Sequence, residues 1–282
     1  MLEPRPRFGP KFSVPTVLLC LWTLLLVGLL PDTAHGGDLD GVRTRGALRM
    51  VCWPHPDSLF IRRADSDGPA GGGFSGIDFE LMRGFAAELG VELQVVPARE
   101  SFAQMFSDLQ TGLGDLAASS LTITPARQAL FDFSKPYFLE HMVVVTRKGT
   151  QIADTEDLTR YRGAVVEGSS HDQRLRRLVP KENVTFVDVT TDALRQVEDG
   201  SVDFALVDSE TFNTATLKRS EMGSSLAVAL RFPDEEAYGI AVRKGSDLLP
   251  PLDAYLQRLQ GSGELERLIR KYRERRPAGA PS

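Results

Sequence analysis

Residues 115–138 read DLAASSLTITPARQALFDFSKPYF, and this stretch decides the fold. Leu116, Ala117 and Ala118 are small and apolar, as a strand buried on both faces of a parallel sheet allows. Four hydroxyls follow at Ser119, Ser120, Thr122 and Thr124, which make a poor core but a good rim for a polar ligand. Pro125 ends regular pairing. Arg127 comes next, before the apolar run resumes at Ala129. A guanidinium is always charged and binds a carboxylate bidentately. Ligands of open α/β sheets sit at the carboxyl ends of the strands, where this arginine lies. On spacing alone, a surface loop carrying a surface arginine fits equally well.

Upstream, the chain alternates strand and helix. Residues 48–52 form a first apolar strand after a lead-in turn at 43–46. Residues 63–76 are polar and glycine-rich, a loop or hairpin, and Asp78 is a candidate helix cap. Leu81, Phe85 and Leu89 repeat at four with Met82 and Ala86 beside them, so one helix face is apolar, and Gly90 ends it. Residues 91–96 are the next strand. Phe102, Met105, Phe106 and Leu109 mark a second amphipathic helix that stops near Gly112. Short links joining β-α-β-α-β are the signature of a doubly wound sheet.

Downstream, the pattern crosses and restarts. Residues 142–147 are a crossing strand, and 163–167, 184–189 and 202–207 are strands of a second unit. Ser170-x-x-Gln173 fits a capping box before a helix containing Leu175 and Leu178. The segments LQTGLGDLAASS and VEDGSVDFALVD share one order: helix end, glycine, aspartate, apolar strand, polar terminus. Both strands therefore end in groups that can face one cleft. Residues 226–231 and 238–243 read as further strands, the second returning to the first unit. Leu248, Leu252, Leu256 and Leu259 mark a helix with Pro250 and Pro251 in its first turn, and Gly261-Ser262-Gly263 breaks it before a last basic helix.

The architecture predicted is α/β, with two doubly wound lobes joined by two crossing strands. Lobe one is 40–141 plus 244–276, lobe two is 148–237, and 277–282 form a disordered tail. Two lobes on two crossovers can close around a ligand by hinge motion.

Residues 1–36 read as a secretory signal or an N-terminal anchor. Arg5, Arg7 and Lys11 precede an uncharged run over 12–31, and Ala34-x-Gly36 offers a cleavage site. The net charge is −5; that leader carries +1, which leaves −6 for the remainder and argues against nucleic acid as a partner. Outside the leader Cys52 is the lone cysteine, so no internal disulfide can form, and it reads as a small buried hydrophobe. His35, His55, His141 and His171 lack a metal-ligand spacing, no phosphate loop is present, and no cofactor is expected.

The ordered run Gly-x-x-Asp, apolar strand, Ser-Ser-Leu-Thr-Ile-Thr, Pro-Ala-Arg, Phe-Asp-Phe-Ser-Lys-Pro-Tyr resembles bacterial extracellular solute-binding proteins of family 3, from about residue 48 to about 272. The resemblance implies a two-lobe periplasmic-binding-protein-like fold of type II. It also implies a monomeric, non-enzymatic periplasmic protein that hands a polar amino acid or similar zwitterion to an ABC permease of the inner membrane. Carried over residue by residue, it puts the ligand's carboxylate on Arg127, with Ser119, Ser120 and Thr122 around it. The turn at Ser169 and Ser170 caps the same group, and Asp208 takes the ammonium. A helix N-terminus favours an anion at that turn, although Ser170 and Asp208 also fit simple helix caps.

The stretch CWPHPDSLF (52–60) departs from the family's usual Tyr-x-Pro-Phe. Trp53 is a candidate ligand stack, with core packing equally open, and His55 reads as a loop residue. Lobe two also resembles the solute-binding-like domain of membrane-bound lytic transglycosylases, with no lysozyme-like domain expected within these residues. Two alternatives follow: an envelope sensing or regulatory domain, and a cyclohexadienyl-dehydratase-like enzyme. The latter needs a general acid, for which Glu167, His171 and Asp172 are the nearby candidates.

Overall fold

The computed structural model describes residues 39–56, 58–64, 73–218 and 220–274. The leader at 1–36 and the tail at 277–282 lie outside them. In chain order the first strands are β1 (Ala47–Cys52), β2 (Arg62–Arg63), β3 (Phe74–Ser75), β4 (Glu92–Pro97), β5 (Leu116–Ala117) and β6 (Phe131–Phe133). The rest are β7 (Phe138–Arg147), β8 (Gly163–Val166), β9 (Val184–Val187), β10 (Phe204–Asp208), β11 (Leu226–Tyr238) and β12 (Ala241–Arg243).

The first sheet has the order β4-β1-β5-β12-β6. β1 pairs parallel with β4, from Ala47 opposite Glu92 to Cys52 opposite Pro97, and parallel with β5 on its other edge. Period-two alternation sorts its side chains. Leu48, Met50 and Cys52 join one apolar cluster with Leu81, Met82 and Phe85 of the helix Ile77–Glu88. Val51 joins the opposite cluster with Met105 and Leu109 of the helix Gln104–Gln110. Both faces are covered, which is why the strands read as unbroken apolar runs. The C-terminal helices Leu249–Gly261 and Glu264–Glu274 return to this lobe and bury Leu252, Leu256, Leu265 and Tyr272 in its larger cluster.

The second sheet has the order β11-β7-β10-β8-β9. β10, β8 and β9 run parallel, and β7 lies antiparallel between β10 and β11. Val143 and Val145 face a cluster built with the helix Thr190–Asp199, whereas Met142 and Val144 face one that includes Leu175 of the helix Ser170–Leu178.

The chain changes sheet in the short links 134–137 and 239–240, so residues 142–147 all belong to the second sheet. The two strands expected at 226–231 and 238–243 are instead one long β11 and the short β12. Pro233 sits where the β11–β7 register shifts, between Arg231 and Glu235, which is how a strand tolerates a proline. A short helix, Leu39–Arg45, stands where a lead-in turn was expected. At the two ends of the glycine-rich 63–76 region, β2 and β3 pair antiparallel, Arg62 opposite Ser75 and Arg63 opposite Phe74. Among the described residues no helix is long and apolar enough to cross a membrane.

Candidate functional site

The carboxyl ends of β1, β5, β8, β9 and β10 converge on one cavity of about 90 Å³. Trp53, Ser119, Ser120, Thr122, Arg127, Ser169, Ser170 and Asp208 all line it. The structure thus brings the eight expected residues to one place.

Arg127 lies on a single helical turn, Pro125–Gln128, whose cap is the Thr124 hydroxyl accepting from the Arg127 backbone N–H at 3.2 Å. The side chain is only 5% exposed. Its Nη1 donates to the Thr122 carbonyl at 2.8 Å, and Nη2 reaches the Gly168 carbonyl across the cleft at 3.4 Å. The guanidinium lies 4.8 Å from the Phe106 ring centroid and 5.6 Å from that of Phe102. These contacts use part of a five-donor fork, and the rest stays available to an anion. Burial pulls its pKa down to about 10, against the attraction of Glu236 and Asp208, so the group is charged at neutral pH.

The facing wall is the N-terminus of the helix Ser170–Leu178. Its cap is Ser169, not Ser170: the Ser169 hydroxyl accepts from the Asp172 N–H at 3.1 Å. Ser170 is thereby free of capping and lies 3.1 Å from the Thr122 hydroxyl on the other lobe. Both hydroxyls face Glu236, at 3.2 and 3.4 Å. Gly168 has φ +74°, and a Cβ there would sit 2.9 Å from Cβ of Ala103, so glycine lets the lobes approach. On the far rim, Trp53 Nε1 donates to the Asp188 carbonyl at 3.2 Å, and His55 Nε2 lies 3.2 Å from the Thr191 hydroxyl. These bridges make the cleft a closed one.

The turn at Ser119 and Ser120 is held from behind. Ser119 accepts from Trp53 N–H and donates to the Trp53 carbonyl. Ser120 has φ +48° in the left-handed region, and its N–H donates to Asp78 Oδ2 at 2.7 Å. Asp78 also accepts from the Tyr137 hydroxyl at 2.5 Å. Gly76, not Asp78, is the N-cap of its helix, so the Asp78 carboxylate is left for the Ser120 turn. Asp78 is fully buried, and burial raises its pKa from 3.8 to about 6. A raised carboxyl is protonated in the folded chain before it is in the unfolded one. Its contribution is therefore most favourable below about pH 4, falls as pH rises to about 6, and is flat above. Asp78→Asn is expected to flatten this stretch. The wild-type minus variant stability, from urea unfolding at pH 4, 5, 6 and 7, should drop by roughly 3 kcal/mol at most. A difference independent of pH would refute this role for Asp78.

Reading the sequence missed three groups in or beside the cavity and named a fourth, His171, only as a candidate general acid. His171 lines it, with Nε2 3.1 Å from Asp208 Oδ1. His55 is buried in its wall, not a plain loop residue. Phe102 lines it under the arginine, and Glu236 backs the two hydroxyls. Only His171 carried a signal, its place directly after Ser169-Ser170; Glu236 sits in a run of charges that reads as solvated. Of the three candidate acids, His171 alone lines the cavity, while Asp172 holds the Gly168 N–H and Arg176. Among the described residues no three potential ligands are grouped to hold a metal.

Residues 66–275 match the family described as bacterial extracellular solute-binding proteins, family 3. The membrane-bound lytic murein transglycosylase F of Ectopseudomonas mendocina (strain ymp) is 33% identical over 93% of this chain, which spans 53% of that protein. The chain thus spans about half the length of such relatives. The amino-acid-binding protein AabA of Dichelobacter nodosus is 29% identical over 77% of this chain and 85% of its own length. Among solved structures, the P235GK mutant of ArgBP from T. maritima has a TM-score of 0.72 at 30% identity, over 83% of this chain and 98% of that one. The substrate-binding protein AbpA of an amino acid ABC transporter from Streptococcus pneumoniae, bound to L-arginine, has a TM-score of 0.74 at 26% identity, over 83% of this chain and 98% of that one. With its two sheets and flanking helices the fold is the type II periplasmic-binding-protein fold, and the chain belongs to the bacterial extracellular solute-binding proteins of family 3.

Proposed function

We propose that the protein captures a small polar ligand, an amino acid or similar zwitterion, in the interlobe cleft and delivers it, in the periplasm and as a monomer, to an ABC permease of the inner membrane. The observation that carries this is the buried Arg127 facing the N-terminus of the helix Ser170–Leu178, with the Asp208 carboxylate in the same cavity. One end of the cleft favours a carboxylate and the other a cation. In this reading Ser119, Ser120, Thr122, Ser169 and Ser170 complete the carboxylate cradle and Trp53 closes over the ligand. The protein's role is binding, without turnover. AabA and AbpA, named for amino-acid binding and transport, support it.

A second reading rests on the transglycosylase F similarity, which runs over nearly the whole chain but half the relative. There the same fold serves as an envelope sensing or regulatory domain.

A panel of amino acids, small peptides, polyamines and cyclic carboxylic acids separates the two. Trp22 and Trp53 are the only tryptophans, so Trp22→Phe leaves Trp53 as sole reporter on the cleft rim. One amino-acid class should raise the melting midpoint and change Trp53 emission together. Saturation a hundredfold above Kd adds about 2.7 kcal/mol of stability. A folded protein that responds to no compound would overturn the receptor reading in favour of the second.

A further inference from the structure

His171 and Asp208 make an uncommon pair. Nε2 and Oδ1 stand 3.1 Å apart, both buried, and among the described residues no third group satisfies either atom. The contact is a charge pair at hydrogen-bonding distance. Both residues line the cavity, and His171 is 8% exposed.

The surroundings bias the imidazole toward its charged form. Burial, the largest single effect, and Arg127 oppose a proton on it, while Asp208 on β10 and Glu236 on β11 together attract one. The attraction prevails, and the His171 pKa is raised above 6.5. Around Asp208 stand the Tyr238 hydroxyl and Glu140, both with raised pKa values. Glu236 is held by the Thr122 and Ser170 hydroxyls, and its pKa is raised chiefly by burial. Among the described residues the cleft thus presents Arg127 without an ion-paired carboxylate and, at pH values below its raised pKa, an imidazolium seated on Asp208.

A zwitterion brings one charge of each sign. Its carboxylate suits Arg127. Its ammonium, seated at Asp208, would lie beside the imidazolium, and two like charges in a buried site are strongly unfavourable. We propose that His171 is the specificity-determining residue of the cleft: its imidazolium holds the cation place at Asp208, and a ligand's ammonium enters only as His171 gives its proton to solvent. Carboxylates without an ammonium leave the pair intact. This inference rests on the proposed amino-acid reading and adds the rule that sorts its ligands.

The signs follow from linkage. An ammonium ligand releases about one proton, and its affinity rises by about tenfold per pH unit until His171 is neutral in the free protein. A carboxylate with a hydroxyl in the ammonium's place releases none through His171, and its affinity lacks that rise.

Calorimetry on the full chain with L-arginine and with L-argininic acid, which carries a hydroxyl for the α-ammonium, tests this at pH 6 in two buffers of different ionisation enthalpy. About one proton released with the first and about none with the second is the expected result. In His171→Gln the release and the pH slope should vanish. Equal release with both compounds, or a slope that survives in His171→Gln, would overturn the proposal. A ligand-free arm keeps it apart from the amino-acid reading. The imidazole carbon-bound protons of His171, assigned by their loss in His171→Gln, should titrate above 6.5 in the empty protein and shift downward in Asp208→Asn. Titration below 6.5, or none of that shift, overturns the proposal even if no amino acid binds; a normal result there without arginine binding faults the amino-acid reading instead.

Discussion

Arg127→Ala is expected to cut affinity for a carboxylate ligand on the order of 100- to 1,000-fold while the chain stays folded. Truncating one member of a buried charge pair costs about 2–5 kcal/mol, because the other charge is left in a dry site without a partner. In the complex that other charge is the ligand's. Without ligand the balance differs. Arg127 is 5% exposed and has no carboxylate within ion-pair distance among the described residues, only the Thr122 and Gly168 carbonyls and the rings of Phe102 and Phe106. A buried cation held this way adds little to net stability, since desolvation offsets its contacts. The empty variant should therefore melt within a few degrees of wild type, and the ligand-induced rise should be lost. Arg127→Lys keeps the charge without the planar fork and belongs between the two. Calorimetry and a thermal scan on the same samples separate loss of binding from loss of fold. Wild-type affinity in Arg127→Ala would mean that the carboxylate sits elsewhere.

The cleft was legible because strand ends are legible. A strand buried on both faces needs an apolar run, and the first polar residue after it marks where the sheet stops. Leu116–Ala117 before Ser119, and Phe204–Asp208, show this directly. The positions that stayed hidden depend on contacts across the chain. Glu236 is functional in appearance only once Thr122, from more than a hundred residues away, meets it. Asp78 looked like a helix cap because its sequence position fits one. Only the fold shows that Gly76 takes the cap and that the carboxylate props Ser120. The cap read at Ser170 falls instead on Ser169, and Val166 shows why: its carbonyl accepts from the Ser169 hydroxyl and anchors it.

These props lead to the largest stability effect expected, Gly76→Ala. Gly76 has φ +135° and ψ 169°, a conformation essentially restricted to glycine. A Cβ there would lie 2.1 Å from the Phe60 carbonyl oxygen, 2.4 Å from its carbon and 2.8 Å from the Ile61 nitrogen. All three are backbone atoms, so no rotamer change relieves the clash. The neighbouring N–H groups of Ile77 and Asp78 donate to the Leu59 and Phe60 carbonyls at 2.8 and 2.9 Å, and Gly76 N–H donates to the Tyr272 hydroxyl at 3.1 Å. Moving the backbone aside would loosen this junction between the 58–61 loop, the helix Ile77–Glu88 and the C-terminal helix. Strain and clash together should remove roughly 3–5 kcal/mol, a large part of the roughly 5–15 kcal/mol of a typical domain. Gly90→Ala is the matched control. Its φ is also positive, +74°, but no atom lies within 4 Å of the new Cβ. It should cost about 1 kcal/mol from conformation alone. Urea unfolding of both variants isolates the clash from the dihedral. The displaced helix start carries Asp78, and Asp78 holds Ser120, so Gly76→Ala should also weaken ligand binding under conditions where it is still folded. Equal losses of stability in the two variants would show that the loop at Phe60 yields freely, and the rigid support argued for the Ser120 turn would fall with it.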